Sequence, residues 1–131
     1  MLNFFDSFFK KDNDLEKMNF SLEIGPHTDL ETLPPVKDVY VTMLPGGDYK
    51  DTADKSGNLV KKGFNPVPHF PARSINNEEE LKEYVSRCKD QGVKQALVIG
   101  GSRDPIGKFD SSYQILETGF FDGIKIGIAG H

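Results

Sequence analysis

The sequence has a single cysteine, no excess of positive charge and no long apolar run, and each shortage removes a class of function. Cys88 alone can make neither an internal disulfide nor a cysteine-rich metal site, which fits a reducing cytoplasm. It sits in a helical pattern, where the expectation is an inert, half-buried thiol. Lys and Arg total 16 against 20 Asp and Glu, a formal charge of −4, and the lysines are dispersed. No basic stripe exists to hold a phosphate backbone, so nucleic acid is not an expected partner. No stretch approaches the roughly 18 apolar residues of a membrane span. Other signatures are missing too. There is no P-loop spacing, no Gly-x-Gly-x-x-Gly after a strand, no metal spacing among the three histidines and no nucleophile pair.

The N-terminal segment, residues 1–18, carries Phe4, Phe5, Phe8 and Phe9 at helical i, i+1, i+4, i+5 spacing. Asp6 interrupts it, no positive segment precedes it and no small-residue cleavage site follows, so it does not read as a secretory signal. The stripe is expected to pack across one end of the domain or against another chain, with a membrane-surface helix as the minor alternative. Residues 19–131 read as one domain.

That domain alternates strands and helices. Phe20, Leu22 and Ile24 alternate with Ser21 and Glu23, a strand stopped by Gly25-Pro26. Glu23 therefore points away from the apolar face, toward solvent in an open sheet or toward the interior in a barrel. The connection His27 to Asp38 has room for one turn, around Asp29 to Leu33. Val39 to Leu44 is a second strand, Asp48 to Gly63 a helix weakened by Gly57, and Phe64 to Arg73 an extended segment with three prolines. Proline removes a ladder donor, so pairing is expected to be short there, around Pro66 to His69. Asn77 caps the best helix, with Glu80 at its N3 position and Leu81, Tyr84, Val85 and Cys88 on one face before Gly92. Val93 to Ile99 is a strand of the buried type, running into Gly100-Gly101 and the polar Ser102, Arg103 and Asp104. A short helix starts at Ser111 or Ser112, and Ile124 to His131 is a fifth strand.

This spacing predicts βα units and a parallel sheet, whose C-terminal rim gathers Glu23, Thr42, His69, Arg73, Gly100, Gly101, Ser102 and His131. A doubly wound sheet and the first part of a barrel both fit. At 131 residues the chain is well below the roughly 250 of a closed (β/α)8 barrel.

The ordered segments SLEIGP, VYVTMLPGG, NPVPHFPAR, QALVIGGSRDPIGKFDSSYQILETG and IGIAGH resemble the methylenetetrahydrofolate reductase family, from about Phe20 to His131. The resemblance implies an α/β fold corresponding to about the first five βα units of a (β/α)8 TIM barrel. It implies a flavoprotein of one-carbon metabolism, with FAD at the C-terminal rim, NAD(P)H as electron donor and a folate as substrate. Glu23 matches the acid at the end of the family's first strand, which assists opening of the folate ring by protonating nitrogen. Thr42 and His69 match flavin contacts, and Gly100, Gly101, Ser102, Ser111 and Ser112 fall in cofactor-binding segments. Typical members carry R-G-D where this chain has Gly100-Gly101-Ser102; Asp104 stands in for that aspartate if the loop shifts, and His131 opens the next rim segment, both toward substrate. A chain of this length is expected to form a homo-oligomer or to join a partner chain that completes the barrel. A catalytically inactive folate- or flavin-binding half-barrel is the alternative.

Overall fold

The structure, a computed structural model, describes residues 21–129. The phenylalanine stripe of Phe4 to Phe9 and the rim residue His131 lie outside the described residues. Strand β1 (Ser21–Ile24) is followed by a single 3-10 turn (Leu30–Thr32), β2 (Asp38–Val41) and α1 (Tyr49–Lys61). Then come β3 (Asn65–Pro71), a second 3-10 turn (Ala72–Ser74), α2 (Glu78–Asp90), β4 (Gln95–Ile99), α3 (Ser112–Leu116) and β5 (Lys125–Ala129). The strands form one sheet in the order β1-β2-β3-β4-β5, with every neighbouring pair parallel. The fold is α/β, and each successive strand is added to the same side of the last.

The expected strand bounds move at several ends. β2 closes at Val41 rather than Leu44, because β1 stops at the Gly25-Pro26 turn; the Thr42 amide makes the last rung, donating to the Ile24 carbonyl at 2.9 Å. β3 is the larger correction, since it runs seven residues, Asn65–Pro71, through all three prolines and occupies the centre of the sheet. Alternation of the backbone explains it. The Asn65 amide donates toward β2, to the Lys37 carbonyl at 3.0 Å, so Pro66 and Pro68 direct their missing donors toward β4. At that level β3 pairs with β2 alone, from Asn65 to Pro68, and only from His69 to Pro71 does it pair with β4. Pro71 turns back toward β2, which has already ended. Each proline thus sits where no donor is needed.

Both longer helices begin as the sequence indicates. The Asp48 carboxylate accepts from the Lys50 amide at 2.9 Å, and Asn77 Oδ1 accepts from the Glu80 amide at 2.8 Å while Glu80 accepts from the Asn76 amide. Gly57 has a reason to be in α1: a Cβ there would meet Gln91 Oε1 at 1.9 Å, so the glycine lets Gln91, at the end of α2, close on α1.

The core lies between one face of the sheet and these helices. Ile24, Val39 and Val41 meet Leu59 of α1, while Phe70, Ala96 and Val98 meet Leu81, Tyr84, Val85 and Cys88 of α2. Phe70 stacks on Tyr84 with centroids 3.9 Å apart and meets Phe121 edge-on at 4.9 Å. Each fully buried side chain of this size contributes about 1.5–3 kcal/mol. Cys88 is completely buried rather than half-buried, and burial pushes its thiol up to about 12, which makes it inert as expected. Among the described residues no helix covers the opposite face of the sheet, and no helix is long and apolar enough to cross a membrane.

Candidate functional site

The face opposite these helices is read off the register. Glu23 pairs with Tyr40 and Tyr40 with Val67, so these three stand in one row across β1, β2 and β3. His69 lies two residues further along β3, on the same face and one row nearer the C-terminal rim, opposite Leu97 of β4. Thr42, directly after β2, is level with it. Three strands from separate parts of the chain thereby deliver Glu23, Tyr40, Thr42 and His69 to one neighbourhood.

Its centre is a weakly coupled acid and base. His69 Nε2 stands 3.8 Å from Glu23 Oε1; the imidazole is 12% exposed and the carboxylate 64% exposed. Tyr40 meets the His69 ring edge-on, with centroids 6.3 Å apart. Burial pulls the His69 pKa below its ordinary value, because a charged imidazolium loses hydration there; the Glu23 carboxylate opposes that shift without cancelling it. At neutral pH His69 is thus a neutral base beside a solvent-accessible carboxylate. The core holds it in place: the Tyr84 hydroxyl, from α2, donates to the His69 carbonyl at 2.7 Å. Thr42 uses its hydroxyl locally, donating to the Ile24 carbonyl at 3.2 Å, and its own carbonyl accepts from Thr52 of α1.

A second group of residues surrounds a cleft of about 280 Å³ at the C-terminal ends of β4 and β5, lined by Arg73, Gly100, Asp110, Ser111, Ser112, Ile128 and Ala129. Gly100 closes β4, and its carbonyl accepts from the Arg73 amide at 3.0 Å. Gly101 has φ +99°, and a Cβ there would come within 3.5 Å of Arg73 Cβ. Ser111 precedes α3, and the Gln114 side-chain oxygen accepts from the amides of Asp110 and Ser111. A larger hollow of about 340 Å³ lies between Glu78, Lys108, Phe109 and α3. It holds none of the sequence-derived site residues, and its one cation, Lys108, is paired to Glu78 at 2.6 Å, with Glu117 beside them on the wall.

The sequence-derived residues therefore fall into two groups and a remainder. Glu23, Thr42 and His69 share the sheet face, and Gly100, Ser111 and Ser112 share the cleft with Gly101 at its back. Ser102 and Asp104 are exposed on the loop between β4 and α3 and do not line the cleft. Tyr40 was not picked out as a site residue from sequence, although the apolar Val39 and Val41 on either side place it on the face of Glu23 by alternation alone. Asp110 was missed as well; nothing local marks it, since its partner Arg73 lies 37 residues away. Among the described residues no group of three or more His, Cys, Asp or Glu is placed to hold a metal ion. No protein-family model matches the chain.

Proposed function

We propose that the chain is a methylenetetrahydrofolate reductase-like flavoprotein whose five parallel strands correspond to the first βα units of a (β/α)8 barrel. One observation carries the reading: Glu23, Thr42 and His69, each singled out from a different segment by the resemblance, converge on one face of the sheet near its C-terminal rim. In such a barrel that face is the interior, and the rim is where ligands bind. The strand order, sequential and parallel throughout, is the order a barrel requires, whereas a doubly wound sheet reverses direction at a switch point.

The residues present fit a flavin. Thr42 and His69 offer polar groups on a half-buried face, and Gly100-Gly101 leave backbone bare of side chains next to the cleft. When bound, FAD would carry hydride from NAD(P)H to methylenetetrahydrofolate, giving methyltetrahydrofolate. Glu23 would supply the proton that lets the folate ring open at nitrogen, and its exposure leaves it accessible to a substrate laid over the sheet. Neutral His69, held by Tyr84, would orient against the flavin ring and stay close enough to Glu23 to bias where that proton rests.

A second reading is favoured by the two edge strands, since among the described residues β1 and β5 each pair on one side only. In it the chain binds folate or flavin without turnover and associates with a second copy or a partner chain. Gel filtration combined with an absorbance scan separates the readings from each other and from neither. A flavin band near about 450 nm together with NAD(P)H-dependent reduction of methylenetetrahydrofolate supports the enzyme. A flavin band without turnover supports the binding module. Glu23→Gln is expected to abolish turnover and leave flavin bound, and unchanged turnover would remove Glu23 from the acid role.

A further inference from the structure

Glu23 and His69 stand on strands that are not neighbours, and the strand between them carries Tyr40. Adjacent strands run about 4.8 Å apart, so β1 and β3 are separated by roughly twice that distance. The two side chains come within 3.8 Å only by leaning toward each other across β2. On that face β2 presents Tyr40, in the row of Glu23, and Thr42, level with His69. Thr42 is small, and its hydroxyl is turned to the Ile24 carbonyl. Tyr40 is the bulky one: its half-buried ring meets the imidazole edge-on at 68°, with centroids 6.3 Å apart. On the other side of His69, β4 places Leu97 opposite it, which has no polar group to offer. From α2 the Tyr84 hydroxyl reaches only the His69 carbonyl, so the imidazole is not held through its backbone bond. Among the described residues Glu23 is the one charged group that faces the ring, and 3.8 Å is too long for a hydrogen bond. No directional bond therefore sets the geometry of the pair, and packing must.

We infer that Tyr40 is a positioning residue of this site, its ring edge being the wall that keeps the His69 imidazole turned toward Glu23 and keeps water from between them. The contact does not depend on what the site binds. Its consequence for turnover rests on the proposed reading in which Glu23 supplies a proton. There Tyr40 acts through His69, because a neutral imidazole biases the carboxyl proton only while the separation is kept and the surroundings stay poorly polar.

The test reads the coupling of the two groups in the whole chain without ligand. His69 ring protons are titrated by NMR with and without Glu23→Gln, and the displacement between the two curves is measured in the parent, in Tyr40→Phe and in Tyr40→Val. Phenylalanine keeps the ring edge and loses only the hydroxyl, so its displacement is expected to equal the parent's. Valine keeps a shape that strands accept but has no ring to reach His69, so the displacement is expected to fall to about half or less. A purely structural role for Tyr40 would lower the melting temperature and leave that displacement as it is. An equal displacement in Tyr40→Val overturns the proposal, as does none in the parent. A reduced one in Tyr40→Phe overturns it too, since the hydroxyl would then be the holding group. Should Tyr40→Val fail to fold, Tyr40→Phe decides together with Overhauser contacts between the Tyr40 and His69 ring protons of the parent, whose absence removes the wall. Where reductase turnover is found, Tyr40→Val is expected to displace the pH profile of kcat and Tyr40→Phe to restore the parent's; an unmoved profile in Tyr40→Val overturns the link to turnover. A chain without turnover that passes the titration loses the reductase reading and keeps Tyr40 in its role.

Discussion

His69 shows what a single residue's surroundings do to its chemistry. Its pKa is lowered mainly by burial, and the Glu23 carboxylate 3.8 Å away pushes in the other direction. Removing the carboxylate therefore lets burial act alone. In Glu23→Gln the His69 pKa is expected to drop further, seen as a displaced titration of its ring protons in NMR; an upward shift or none would show that the two groups are uncoupled. The stability consequence follows from proton counting. Between the unfolded value of about 6.5 and the lower folded value, the unfolded chain binds a proton that the folded one does not. His69 thus costs stability as pH falls through that window, costs nothing above it, and its penalty is constant below the folded pKa. His69→Gln is expected to flatten this part of the stability-against-pH curve measured by urea melts. The separate residues of the cluster were legible from their places at strand ends. Their contact was not, because 3.8 Å between β1 and β3 depends on the register of two pairings, which no local pattern records.

At the scale of elements, the sequence told strands from helices well and judged β3 poorly. Alternation exposed β1, the Asn77 cap and the Leu81 to Cys88 face exposed α2, and both were found as expected. For β3 the rule against proline in a central strand gave too short a pairing, because the rule counts missing donors and ignores which side each donor faces. The loop from β4 to α3 was likewise read for its polar residues, while its packing is governed by Gly107. A Cβ at Gly107 would stand 2.0 Å from the Asn76 carbonyl oxygen and 2.7 Å from that of Ile75, both backbone atoms that have little room to yield. Gly107→Ala is expected to destabilise the fold by about 1–3 kcal/mol, as overpacking does, and to loosen Asp110 from Arg73. Thermal melts check the first part and the Arg73 Nε–H resonance the second. By contrast Tyr84→Phe retains the ring stack on Phe70 and removes only the bond to the His69 carbonyl, so the expected loss is about 1 kcal/mol. A larger loss there would mean that the hydroxyl holds the whole end of β3.

For the molecule as a whole, the βα spacing foretold a parallel sheet, and its sequential order agrees with that spacing; closure depends on what meets the two edges. A parallel strand with one side unpaired carries a row of free backbone donors and acceptors, and parallel sheets are ordinarily covered on both faces. Here β1 and β5 are such edges, and the face bearing Tyr40, Val67 and Leu97 has no helix over it among the described residues. The edges are also opposite in charge. Glu23 on β1 shares a row with Tyr40 and Val67, and Gln95 pairs with Lys125 on β5; the His69–Leu97 pairing, followed back two residues, joins these into one row. An acidic position on one edge thus lies level with a basic one on the other. Two copies related by an axis along the strands can bring β5 of each beside β1 of its partner, parallel and with Lys125 facing Glu23 twice. The chain is therefore expected to associate at micromolar concentration, with light scattering reporting twice the monomer mass. Lys125→Glu sets like charges at both seams and is expected to shift the equilibrium toward monomer, an effect that shrinks as salt rises. A parent chain that stays monodisperse and monomeric would mean that its edges are protected within one copy. If Lys125→Glu associates as strongly as the parent, the seams are not where the copies meet.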